Sequence, residues 1–145
     1  MTDRGFRILG GVHRGIYRLT GGRIGGKVGP ARVLLLTTTG RKSGRLRTQP
    51  LLYTPAGAGY VVIASKGGAA RHPLWYLNLR ANPEVEVTVG RETRKLRARD
   101  AGGEERERLW RAMTRVYPGY DRYAQRTSRQ IPVVVLEPDA DTAVD

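Results

Sequence analysis

Four cations crowd into seven residues of this chain. Gly40 and Gly44 bracket Arg41, Lys42 and Ser43, and Arg45 and Arg47 follow at once. Like charges this close repel one another unless an anion sits among them. The glycines permit a tight turn and close backbone approach. The chemistry such a turn does best is to hold phosphate or carboxylate groups, Arg through paired hydrogen bonds and Lys as a point charge. It is not a Walker A loop, because the G-x-x-x-x-G-K-[ST] order is missing.

Three other groups carry chemical side chains at suggestive spacings. Ser65-Lys66-Gly67-Gly68 offers a hydroxyl and an amide on a freed backbone. It reads as a ligand-facing loop or as an ordinary glycine turn. In His72-Pro-Leu-Trp-Tyr-Leu-Asn78, Trp75 and Asn78 lie three residues apart and share a helix face. A planar ligand could meet the ring and the amide there; the plainer reading is a core Trp beside a capping Asn. Tyr117, Tyr120 and Tyr123 recur every three residues. On a helix their rings share one face, where a phenol can stack on a planar ligand or move a proton. The plainer reading is a packing face. No nucleophile–base–acid set emerges. Cysteine is absent, His13 and His72 are the only histidines, and nothing around them has metal-site spacing. Catalysis would therefore depend on a bound cofactor.

The elements that must position these groups are mostly strands. Val33–Thr39, Arg47–Thr54, Tyr60–Ser65, the alternating Val85, Val87 and Val89, Thr93–Arg99 and Ile131–Glu137 read as six strands. A hairpin turn is expected over Pro55–Gly59 and another at Gly90-Arg91. Two helices interrupt the series: His72–Asn82, with Pro73 in its first turn, and Glu104–Val116, with Leu109, Trp110, Met113 and Val116 on one face. Short strands with hairpin turns and few helices predict a small antiparallel barrel over residues 31–138. Before it, residues 4–20 read as a basic amphipathic helix and 21–30 as a glycine-rich linker. After it, 139–145 read as a disordered acidic tail.

At 145 residues the chain is expected to form one core-bearing domain. The lack of cysteine suits a reducing cytosol. The longest apolar runs are too short for a membrane span, which takes about 20 residues, and no signal-peptide pattern opens the chain. The expected location is cytoplasmic; the 4–20 helix reads first as packed on the domain and otherwise as available for peripheral contact with the inner face of the membrane. Net charge is +13, and the first 50 residues hold eleven Lys and Arg against Asp3 alone. That asymmetry points to an anionic partner: nucleic acid, membrane or a polyanionic small molecule. A nucleic-acid-binding barrel would carry its aromatics on strand faces. Here Trp75, Tyr76, Trp110 and the three tyrosines fall in helical segments, so no nucleic-acid partner is expected.

The motifs LLLTTTGRKSG, QPLLY, VVIASKGG, HPLWYLNLRANPEV, YPGYDRY and IPVVVL follow one another in this order. In that order they resemble the deazaflavin-dependent nitroreductase and quinone reductase family of actinobacteria, over roughly residues 13–137. The resemblance implies a mainly β split barrel of the flavin-reductase type. It also implies an oxidoreductase that transfers a hydride from the reduced deazaflavin coenzyme F-420 to a small acceptor, a quinone or a nitro compound. Carried onto this chain, the coenzyme's phosphate and glutamate tail would meet Arg41, Lys42, Ser43 and Arg47. Thr48, Gln49, Pro50, Leu51 and Leu52 would line the strand beside it. Ile63, Ala64, Ser65 and Lys66 would contact the ring system, and Leu74, Trp75, Tyr76, Leu77 and Asn78 would close over it. Tyr120 would touch both coenzyme and acceptor, with Tyr117 and Tyr123 as the acceptor pocket's wall. Tyr120, Tyr123 and Ser65 would be the catalytic side chains. A same-fold protein that binds FMN, haem or another flavin-like or lipid ligand is the alternative, and the chain could be a monomer or a homodimer.

Overall fold

The computed structural model describes residues 32–139. The expected basic helix, the linker and the tail from 140 onward lie outside the described residues. Six strands form a closed antiparallel barrel: β1 (Arg32–Thr39), β2 (Leu46–Ala56), β3 (Gly59–Ile63), β4 (Glu84–Val89), β5 (Glu92–Asp100) and β6 (Val133–Glu137). Their order around the barrel is β1-β2-β3-β6-β5-β4. Among the described residues three helices lie outside it: α1 (Leu74–Ala81), α2 (Gly103–Val116) and α3 (Gly119–Gln125). The expectation of a mainly β barrel with peripheral helices holds. Among the described residues no helix is long and apolar enough to cross a membrane.

Strand periodicity explains the two cores. Side chains alternate across a strand, so β3 and β6, apolar at nearly every position, serve both faces of the sheet. Val62, Val134 and Leu136 point into the barrel with Leu34, Leu36, Val85, Val87 and Leu96. Val61, Ile63, Val133 and Val135 point outward into a second core with Leu109, Met113, Tyr120 and Ile131. That second core is what fastens α2 and α3 to the barrel. Two threonine pairs bond across neighbouring strands in register, Thr37 with Thr48 at 2.7 Å and Thr88 with Thr93 at 2.8 Å.

Element boundaries differ from the sequence expectation for local reasons. β6 starts at Val133 because Pro132 has no N–H for the ladder; its carbonyl instead accepts the Ala64 N–H at 3.0 Å. β3 stops at Ile63, since Ser65 turns into the right-handed helical region. β2 runs on to Ala56, so the hairpin turn is confined to Gly57-Ala58, with Gly57 at φ +56°. α1 is shorter at both ends than 72–82: Pro73 is its extended N-cap, and Asn82, restricted by Pro83, is its extended C-cap. At Gly59 a Cβ would fall 1.9 Å from the Leu136 carbonyl oxygen, so the β3–β6 approach demands glycine.

β2 and β3 pair only over Thr54–Ala56 with Gly59–Val61. Beyond Thr54 they part, while β2 stays bonded to β1 from Leu46 to Tyr53. The side of β2 from Leu46 to Tyr53 that faces away from β1 therefore has no strand partner. Pro50 fits there, because an edge position asks for no donor on that side.

Candidate functional site

The parting of β2 and β3 opens into a cavity of about 690 Å³. Its walls come from four elements. β2 supplies Gln49, Pro50, Leu51 and Leu52; the end of β3 and the following loop supply Ile63, Ser65 and Lys66; Pro73, Leu74 and Trp75 come from the start of α1. Tyr117, Tyr120 and Tyr123 form the last wall. The volume suits a planar ligand with room for a second small molecule. Leu74, 64% exposed, stands at the start of α1 among these walls.

The tyrosines are set by two helices meeting at an angle. Tyr117 caps α2, while Tyr120 and Tyr123 lie on α3. The Trp110 indole N–H donates to Asp121 at 2.8 Å and ties the two helices together. Tyr117 and Tyr120 meet edge to face at 5.2 Å, Tyr120 and Tyr123 at 6.1 Å, and the hydroxyls of Tyr117 and Tyr123 are bonded at 2.9 Å. That bond raises Tyr123 above the ordinary phenol range. Tyr120 differs: it is 5% exposed, and its hydroxyl has no hydrogen-bond partner among the described residues. Burial, then the neighbouring phenols, push its pKa well above the usual value, so it stays an O–H donor. Ser65, 8% exposed, likewise has a hydroxyl with no partner among the described residues. A buried, unpaired hydroxyl costs about 1–3 kcal/mol. Two of them on one cavity mark it as built for a polar ligand group.

The cationic turn closes on itself through backbone bonds, Gly40 N–H to Arg45 O and Gly44 N–H to Gly40 O, both 2.8 Å. Gly44 takes φ +73°. Arg41, Lys42, Arg45 and Arg47 are exposed, and among the described residues none pairs with a carboxylate. The turn is joined to the cavity in two ways. Along β2, Arg47 is two residues from Gln49, about 7 Å of strand. Along α1, Asn78 is one turn from Leu74. The Asn78 carboxamide oxygen accepts the Arg41 N–H at 3.1 Å, and its NH₂ donates to Thr38 Oγ1 at 3.3 Å.

Most residues expected in the site converge here, though not all. Arg41, Lys42, Ser43 and Arg47 form the turn, outside the cavity wall. Ser43 Oγ accepts the Arg45 N–H at 3.1 Å, so it shapes the turn. Thr48 is spent on Thr37. Asn78 fastens the turn to α1. Three residues lie elsewhere: Ala64 is fully buried in the barrel core, and Leu77 packs against that core. Tyr76 donates to Asp100 at 2.7 Å, on the side away from the cavity. His72 is also turned away, its Nδ1 3.0 Å from Arg129 Nη1. Burial and Arg129 hold it below its ordinary pKa. Among the described residues no group of His, Asp or Glu assembles as a metal site. Sequence reasoning missed Arg129, which carries no motif signal in its polar loop, and Pro73, which looked only like a helix starter.

Comparison with known proteins bears on the family and the fold. Residues 11–138 match the family model described as F420H(2)-dependent quinone reductase. An F420H(2)-dependent quinone reductase of Mycobacterium tuberculosis is 44% identical over 129 residues, 86% of this chain and 87% of that protein. A solved F420-H2 dependent reductase superposes with a TM-score of 0.68 at 43% identity, covering 73% of this chain and 94% of its own. A second solved chain, a domain-swapped dimer, gives 0.69 at 43% identity, covering 73% and 80%.

Proposed function

The chain belongs to the F420H(2)-dependent quinone reductase family, and from that premise we propose how its own residues divide the work. Its reaction is the reduction of a quinone by reduced coenzyme F-420. The cavity between β2, the Ser65 loop, α1 and the tyrosines receives the deazaflavin ring system with the quinone against it. The Gly40–Arg47 turn takes the anionic tail, in line with its four exposed cations, which lack carboxylate partners among the described residues. The observation that carries this reading is the pair of buried hydroxyls without partners among the described residues, Ser65 and Tyr120, on an otherwise largely apolar cavity beside that turn.

When bound, the reduced deazaflavin supplies a hydride. The chain supplies orientation, dryness and a proton. Leu51, Leu52, Ile63 and Trp75 exclude water from the ring site. The Tyr120 hydroxyl, held protonated, donates to the acceptor oxygen as negative charge develops there, and the bonded Tyr117–Tyr123 pair lies beside it to relay a replacement proton. Ser65 orients the ring or the acceptor through its hydroxyl. Nitro compounds fit the same chemistry as adventitious acceptors. Peripheral membrane contact through the basic, amphipathic sequence 4–20 suits a lipid-soluble quinone; a full-length chain that stays at the bottom of a vesicle flotation gradient would remove that part.

The direct test is a titration with F-420, FMN and NADPH, followed by quenching of Trp75 and Trp110 fluorescence. Menadione and a nitroimidazole are then offered as acceptors, with turnover read from the return of oxidised deazaflavin fluorescence. F-420 binding with menadione turnover is expected. Tight FMN binding with no F-420 affinity would overturn the reading.

A further inference from the structure

The segment between β3 and α1 presents Ser65 and Lys66 to the cavity, yet it has little to hold it in shape. Its only regular structure is a single 3₁₀ turn, Lys66–Gly68. Lys66 sits at φ +46°, a conformation that favours glycine. Gly68 sits at φ +81°, and a Cβ there would come 2.7 Å from the Tyr123 carbonyl oxygen. The loop therefore leans directly on α3, the helix that carries Tyr120 and Tyr123.

One side chain grips the other side. Arg129 donates from Nη2 to Ser65 O at 2.7 Å, from Nη1 to Ala64 O at 3.2 Å and from Nε to Ala69 O at 2.8 Å. Its Nη1 also reaches His72 Nδ1 at 3.0 Å. Four acceptors spread over nine residues converge on one planar fork, a pattern that arginine can satisfy and lysine cannot. The fork closes the loop from Ala64, at the end of β3, to His72, just before α1.

We propose that Arg129 is a positioning residue of the reductase site, fixing Ser65, Lys66 and, through the Gly68–Tyr123 contact, α3, and that this clamp closes only while His72 is neutral. The proposal rests on the reading of the cavity given above. Arg129 is always a donor, so His72 must offer a lone pair at Nδ1. Protonation removes that lone pair and sets a cation against a cation. The groups facing His72 are Arg129, Arg80 and Asp100, with the Tyr76 ring at 4.8 Å. Asp100 is already bonded to Tyr76 and Arg80 through its Oδ2 and offers limited compensation. Burial and Arg129 depress the His72 pKa, so the neutral form belongs to the folded clamp. The clamp is then complete above about pH 6.5, the ordinary imidazole value, and weakens as pH falls below it.

Amide hydrogen exchange on the full-length chain without coenzyme tests the clamp, followed at Gly68 and Ala69, whose N–H groups bond Ser65 O and Lys66 O. Arg129→Gln and Arg129→Lys should each lower protection there about tenfold and weaken F-420 binding by a similar factor, with lysine giving little rescue. In the wild type, protection at Gly68 should fall between pH 7.5 and 5.5. His72→Asn, which keeps an acceptor oxygen but does not titrate, should hold it level. Protection and affinity unchanged in Arg129→Gln, or a wild-type protection flat with pH, would overturn the proposal. If Arg129→Gln fails to fold, the pH series in wild type and His72→Asn decides it. A wild type that binds no F-420 would refute the cavity reading, while exchange at Gly68 would still rule on the clamp.

Discussion

Tyr120 is the residue on which site and stability pull apart. Its hydroxyl is buried without a partner among the described residues, so removing it should cost the fold nothing and, on the proposed reading, deprive the reaction of its donor. Tyr120→Phe should lower kcat for menadione roughly 100-fold while leaving the melting temperature unchanged or slightly raised. A matching loss of both would mean that the hydroxyl is structural. The pH dependence has a definite sign. The folded phenol titrates above the unfolded value of about 10, so this group leaves stability level below pH 10 and lowers it as pH rises beyond, where the unfolded chain ionises first. Thermal melts between pH 9 and 11 should therefore fall more steeply for wild type than for Tyr120→Phe.

At the scale of elements, α1 serves both ends of the site. Its first turn walls the cavity, and Asn78, one turn later, holds the cationic turn through the Arg41 N–H and Thr38. Asn78→Ala leaves those groups unpaired and should cost about 1–3 kcal/mol in denaturant unfolding, with weaker F-420 binding beside it. An unchanged affinity would detach α1 from the tail site. Much of this layout was legible in the sequence, because alternation in residues 85–89 and the apolar runs of β1, β3 and β6 leave few other arrangements. The cationic turn was legible from charge crowding alone. Asn78 was not, since a three-residue spacing from Trp75 fits a cap, a ligand contact or a brace equally well. Tyr76 misled for a related reason: its motif is helical, but a helix turns adjacent residues about 100° apart, and its hydroxyl went to Asp100 rather than to the cavity. Arg129 was invisible because its four partners include three backbone carbonyls, which leave no trace in residue type.

For the whole molecule, a net charge of +13 sets how an anionic coenzyme arrives. Salt should raise the Kd for F-420 steadily, and Lys42→Ala combined with Arg47→Ala should raise it further, flatten the salt slope and leave unfolding unchanged. A slope equal to that of wild type would mean the tail docks elsewhere. The double use of β3 and β6 has a consequence for how such a protein can diversify. The sheet acts as a bulkhead: one compartment holds the barrel, and the other holds the tyrosine helices. A substitution on the α3 side disturbs Val61, Ile63, Val133 and Val135 but not the residues behind them. The tyrosine wall can therefore be rewritten repeatedly while the barrel interior keeps its packing.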